Sequence, residues 1–261
     1  MIKPLSNEFD VSSLISNVYQ YVKPQVDSKS GLLKYYKRYV NLPEDLDVTS
    51  LFWWTCFDVD SSLIQSVLDT LKQYKSENGL YYTWFRKDGL KGFPEVGEKN
   101  NPLDLISNIH AYLFLYKFAP AEAKELCLSI KSNKIVNNSD YWVFNNRAPW
   151  LFYIGQIDMD NCDCGIKSKS TDKIKSIKSQ VYYSEMAKLI RELSLNEKNE
   201  KAKEKALEML IALAKEDFKY FTEFPLLMHH NDITAEVNST FWSWDLPYAL
   251  WLRLYHEYNV N

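Results

Sequence analysis

Apolar residues recur at helical spacing over most of the chain. Between residues 11 and 22 they fall at Val11, Leu14, Ile15, Val18, Tyr19 and Val22, one face of a helix with Asp10 placed to cap it. A polar connection containing Lys23-Pro24 and Ser28 to Gly31 follows, and residues 32–40 show no decisive pattern. Asp45 or Asp47 then opens an apolar, aromatic helix through Leu51, Phe52, Trp53 and Trp54 that ends near Phe57. Asp58, Asp60, Ser61 and Ser62 form the cap of a further helix, whose Leu63, Ile64, Val67, Leu68 and Leu71 share one side. Gly79, after Asn78, is expected to stop that helix, because glycine accepts the left-handed conformation in which helices end.

Leu80 to Phe85 reads as an aromatic loop, and Gly89, Gly92, Pro94 and Gly97 keep the chain irregular as far as Asn101-Pro102. There a proline in the first turn starts a long helix through Asp104, Ile109, Leu113 and Tyr116. Ala119-Pro120 breaks it, and residues 121–130 return as the second arm of a helical hairpin. Residues 141–157 are apolar on nearly every side after Pro149, the pattern of a buried helix, whereas residues 158–179, with Gly165 and scattered Lys and Ser, read as an exposed loop. Helical spacing resumes at 181–193, 201–214 and 241–258. Period-2 alternation is almost absent, so the expected fold is all-α, one domain over residues 1–261 with roughly eight to ten helices.

Composition sharpens this picture in one respect. The chain has 8 Trp, 18 Tyr and 13 Phe against 7 Gly, which suits large side chains between long regular elements better than a turn-rich β fold. The near balance of 31 basic and 34 acidic residues leaves no basic surface for nucleic acid. No run reaches the ~18 apolar residues of a membrane span, and the start of the chain has no leader-like apolar core, so a cytoplasmic address is expected. Cys56 and Cys127 are isolated in sequence, which suggests no disulfide framework and agrees with a reducing compartment.

Candidate chemistry centres on Asp45 and Asp47 at the mouth of the aromatic helix. Carboxylates there either cap free N–H groups or serve as a proton donor facing an apolar cavity. The order of motifs around them resembles a known family over most of the chain. Leu42 to Thr49 reads Leu-Pro-x-Asp-x-Asp-x-Thr, followed by Gly79 to Phe85, Asp104 with Asn108, Tyr141 to Tyr153 and the Trp-rich segment Phe241 to Leu250. This is similar to the α-barrel domain of class II terpene cyclases and prenyltransferase-like proteins, nearest the bacterial drimane-type cyclases.

The resemblance implies an α/α toroid of helical hairpins around an aromatic-lined cavity. It also implies cyclisation of a linear isoprenoid, such as an isoprenoid diphosphate, started by protonation of a terminal alkene. Asp47 corresponds to the family's central acid and Asp45 to its first partner. A carboxylic acid in that role must be kept protonated by desolvation or a neighbouring carboxylate, and the cations that follow are best held by aromatic faces. Trp53, Trp54, Tyr82, Trp84, Trp150 and Trp244, with Asp104 and Asn108, are the corresponding substrate-binding candidates. No cofactor is implied beyond a Mg2+ that would accompany a diphosphate substrate. Val48 stands where the family carries Asp or Thr, which leaves either a different proton network or a relative without the chemistry.

Other polar groupings are weaker. Asp158 to Cys164 gathers three carboxylates and two thiols, yet the thiols are one residue apart with no second pair and the Glu of a calcium loop is missing, so a solvated loop is favoured over a metal site. Residues 231–236 resemble a magnesium motif only superficially, because their polar groups cannot share a helical face. His110, His229 and His230 lack a metal-ligand spacing or a nucleophile partner and read as packed or surface imidazoles. Two readings outside cyclisation stay open: a non-catalytic helical toroid binding a hydrophobic ligand or partner protein, and a carbohydrate-active α-barrel using paired carboxylates beside Trp platforms.

Overall fold

The computed structural model describes residues 10–34, 42–87, 101–133, 178–195, 199–219, 228–230, 233–237 and 246–260. The fold over these residues is mostly helical, as the spacing predicts. Its elements are α1 (Ser12–Val22), α2 (Leu46–Cys56), α3 (Ile64–Gln73), α4 (Leu105–Phe118), α5 (Pro120–Asn133), α6 (Lys178–Leu195), α7 (Glu200–Lys215), strands β1 (Met228–His230) and β2 (Ile233–Val237), and α8 (Leu246–Val260). None of these helices is long and apolar enough to cross a membrane. The elements belong to two compact units, α1–α5 in one and α6–α8 with the strands in the other.

In the first unit α2 packs against α4 and α1, and α4 against its hairpin partner α5. Leu46, Phe52, Trp53 and Cys56 of α2 meet a helix α4 that is buried at Ile109 and at every position from Ala111 to Leu115. Both helices are apolar almost all round, so they can only exist as interior elements. α3 is amphipathic instead, burying Ile64, Val67, Leu68 and Leu71. It ends at Gln73, earlier than the Asn78-Gly79 stop expected from sequence; the chain then turns back, with Lys75 bridging to Tyr81 and Gly79 at φ +83°. Tyr19 of α1 donates its hydroxyl proton to Asp60, which also accepts the Ser62 N–H and has a pKa lowered to about 2, chiefly by the Tyr19 hydrogen bond.

Gly31 is a second place where glycine is required. Its φ is +76°, a Cβ there would lie 2.7 Å from Val67 Cγ2, and its carbonyl accepts the Trp53 indole N–H at 2.7 Å. Gly31→Ala is expected to lower stability by about 2–4 kcal/mol, adding left-handed strain to overpacking. Urea unfolding of the two proteins checks this.

The second unit packs α6, α7 and α8 against one another around Met186, Ile190, Leu193, Ala206, Leu210, Leu213, Leu250 and Leu254. Asn199 caps α7 by accepting the Ala202 N–H at 3.1 Å. That helix ends without glycine, with Asp217 and Phe218 at φ 47° and 56° and the Phe218 N–H returning to the Leu213 carbonyl at 3.1 Å. The Phe218 ring is held against Tyr248 and Trp251, and this packing supports the strained exit.

Strands β1 and β2 form an antiparallel ribbon, Met228 opposite Val237 and His230 opposite Ile233, in a stretch for which no strand is expected from the pattern. Ile233, Ala235 and Val237 do alternate with Thr234 and Glu236, but a run of five is too short to stand out. Cys127 is disulfide-bonded despite its isolation in sequence, whereas Cys56 is a buried thiol in the core of α2. Sequence isolation says nothing about pairing in space. The expected helix over 141–157 lies outside the described residues, as does the expected loop over 158–179 apart from its last two residues, which begin α6.

Candidate functional site

The N-termini of α2 and α4 are stitched together by the extended segment Tyr81 to Phe85. Thr83 makes the central tie: its carbonyl accepts the Leu46 N–H at 2.9 Å, its N–H donates to the Pro102 carbonyl at 2.9 Å, and its hydroxyl donates to the same carbonyl at 3.0 Å. Asp45 pairs with Trp84 as an isolated bridge, and its own N–H donates to the Leu33 carbonyl at 2.8 Å. Thr49, one turn into α2, accepts the Leu33 N–H at 3.0 Å. Residues distant in sequence are thereby fixed around one point.

Three carboxyls and an imidazole surround that point. Asp45 is the N-cap of α2, accepting the Val48 N–H at 2.9 Å, and is 4% exposed. Asp104 is the N-cap of α4, its Oδ2 accepting the Ser107 N–H at 2.8 Å and the Ser107 hydroxyl at 3.0 Å. Pro102 therefore precedes the cap, where a first-turn position within the helix is expected from sequence. Asp47, in the first turn of α2, does not cap; its Oδ1 is in a short contact with His110 Nδ1 of α4. The side chains of Asp47 and His110 are 20% and 17% exposed, so the pair sits at the edge of the buried cluster.

Electrostatics divides the roles. Burial raises the Asp45 carboxyl well above its ordinary value, and the charge of Asp47 raises it further, against the opposing pull of the Val48 and Asp47 N–H groups. Burial likewise raises Asp104 to about 6, the Ser107 hydrogen bonds opposing it and Asp47 adding to it. Two buried carboxyls beside a third cannot ionise cheaply, which is why Asp45 and Asp104 are both shifted upward.

Stability follows with a definite sign. A folded pKa raised from 3.8 to about 6 means that Asp104 favours folding fully below the lower value and that this contribution is lost as pH rises through the upper one. The loss amounts to about 3 kcal/mol. Asp104→Asn keeps a capping oxygen but cannot titrate. Urea unfolding from about pH 4 to about pH 7 should therefore show a smaller fall in stability for the variant than for the native protein.

The other residues singled out by the sequence take varied positions. Asn108 is fully buried and grips the Tyr81 backbone, Oδ1 accepting the N–H at 2.8 Å and Nδ2 donating to the carbonyl at 2.9 Å. Trp53 and Trp84 are each 1% exposed, as core posts. Trp54 and Tyr82 are partly exposed, and Trp150 and Trp244 lie outside the described residues, as does the 158–164 acidic loop. Among the described residues no group of three or more His, Cys, Asp and Glu side chains is placed to hold a metal ion.

His110 is the participant that pattern alone did not select. A signal existed: in α4 the polar residues Ser107, Asn108 and His110 all fall in the first two turns of an otherwise apolar helix, marking that end as a polar site. Comparison of the chain with family models, with curated proteins and with solved structures finds no match.

Proposed function

We propose that this chain is a terpene cyclase-like α/α-toroid protein that starts ring closure of a linear isoprenoid, such as an isoprenoid diphosphate, by protonation. The observation that carries the reading is the contact of Asp47 with His110 beside two buried carboxyls whose pKa values are raised by burial, Asp45 and Asp104. The contact with His110 fixes the orientation of the Asp47 carboxyl, as positioned proton transfer demands. In the step itself the Asp47 O–H bond breaks as a C–H bond forms at the alkene. The resulting cation is attacked by the next double bond, and loss of a proton from the final cation gives the cyclised product. Asp45 tunes the donor through its proximity, and Trp54 and Tyr82, both partly exposed, offer ring faces to the cations. The α4/α5 hairpin is the kind of unit from which a toroid is built.

Incubating the native protein with farnesyl and with geranylgeranyl diphosphate, then analysing dephosphorylated extracts by gas chromatography and mass spectrometry, tests the proposal. A cyclised product from either supports it, and none from both sinks it. A second reading, a non-catalytic toroid holding a hydrophobic ligand or a partner protein, draws support from the capping hydrogen bonds of Asp45 and Asp104, which are sufficient structural employment for both. It expects no product and no dependence of ligand binding on Asp47.

A further inference from the structure

The turn between α3 and the Tyr81 to Phe85 segment carries the chain's only Asn-Gly pair, Asn78-Gly79. Because α3 ends at Gln73, Asn78 is not held in helical backbone; it is exposed, and Gly79 follows at φ +83°. In that setting an asparagine is open to attack by its own main chain. With no Cβ on the next residue, the Gly79 nitrogen can approach Asn78 Cγ with little steric resistance. The side-chain carbonyl is also polarised toward attack, since Asn78 Oδ1 accepts from the Ser76 hydroxyl and from the Leu80 N–H at 3.4 Å. One tie opposes it, the Gly79 N–H donating to the Ser76 carbonyl at 3.0 Å, a single turn bond of the kind that opens locally.

We propose that Asn78 is a site of spontaneous modification in the folded protein, converting to aspartate and isoaspartate, and that the isoaspartate form releases the tie between Tyr81 and Asn108. The step balances. The Gly79 nitrogen bonds to Asn78 Cγ, its proton leaves with the side-chain NH2 as ammonia, and a cyclic succinimide results. Water then opens either C–N bond of that ring. Breaking the bond to Cγ gives aspartate; breaking the bond to the main-chain carbonyl gives isoaspartate, in which the main chain runs through Cβ and is longer by one atom. Room for that atom is lacking on the α5 side, where even a Cβ on Gly79 would collide with Ser129 Oγ. The turn is closed by the Ser76 N–H donating to the Leu80 carbonyl at 2.7 Å, and the next residue, Tyr81, is gripped by Asn108 at 2.8 and 2.9 Å. A lengthened turn therefore pulls on the Tyr81 end.

Two measurements test this. The full chain is aged in mildly alkaline buffer made with oxygen-18 water and then digested with trypsin in ordinary water, so that only modification of the intact protein carries the heavy label. The peptide of residues 76–86 is expected to gain about 3 Da at Asn78, against about 1 Da for a change during digestion. No heavy label at Asn78, or label only in protein aged unfolded in urea, overturns the modification. The aspartate and isoaspartate forms are then separated by chromatography and told apart by electron-transfer fragmentation. In amide exchange followed by NMR, the Tyr81 N–H is expected to lose protection in the isoaspartate form and to keep it in Asn78→Asp, which adds the charge without lengthening the chain. Unchanged protection in the isoaspartate form overturns the release of Tyr81, and equal loss in Asn78→Asp overturns main-chain lengthening as its cause.

Discussion

Asp47→Asn is expected to lower formation of cyclised product by about 10²–10⁴-fold, the range associated with removing a positioned proton donor. The substitution is close to isosteric, and its amide oxygen can still accept from His110 Nδ1, so the geometry of the contact survives while the transferable proton does not. The fold should stand, because the cap of α2 is Asp45 and not Asp47. The interaction of a first-turn side chain with the helix dipole is worth at most about 0.3–1 kcal/mol. The comparison therefore pairs product analysis with a thermal melt: a large drop in product with little change in melting supports the donor role. Native-level product from the variant would remove Asp47 from the chemistry altogether.

The largest expected effect on stability belongs to Trp53→Ala, a loss of about 3–5 kcal/mol from the cavity, with roughly 1 kcal/mol more from the unpaired Gly31 carbonyl. Trp53 is 1% exposed, packs edge-on against Phe52 at 5.0 Å and donates to Gly31 at 2.7 Å, so it joins α2 to the loop before it. Against a total stability of about 5–15 kcal/mol such a loss is a large fraction. Trp53→Phe keeps most of the volume and should cost much less. Denaturant midpoints for the three proteins check the ranking; a Trp53→Ala cost under about 1 kcal/mol would mean that the indole is not a core post.

Local pattern was enough to find most helices, because burial of one face leaves a mark every three or four residues. Thus α1, α3, α5, α6 and α7 coincide in place and kind with the spacing of Leu14 to Val22, Ile64 to Leu71, and their counterparts. Asp45 was identifiable as a helix opener for the same reason, since a cap acts within its own turn. The union of Asp47 with His110 was not, because the two are 63 residues apart and nothing local to either signals the other. The Thr83 tie escaped for the same reason: its partners, Leu46 and Pro102, belong to separate helical segments. Cys127 shows the general case, a covalent partnership with no local trace.

The segment from Tyr81 to Phe85 has one more consequence. Leu-Tyr-Tyr-Thr-Trp-Phe, residues 80–85, is uncharged, aromatic and free of proline, the composition of a chain that adds to other chains edge to edge. In the folded protein its amides are already spoken for. The Tyr81 N–H goes to the Asn108 side chain, Tyr82 to the Tyr74 carbonyl, Thr83 to Pro102, Trp84 to the Asn101 side chain and Phe85 to Glu44. Two asparagine side chains thus take the place of a neighbouring strand, Asn108 at Tyr81 and Asn101 at Trp84, and leave the amides of an aromatic segment no unpaired edge.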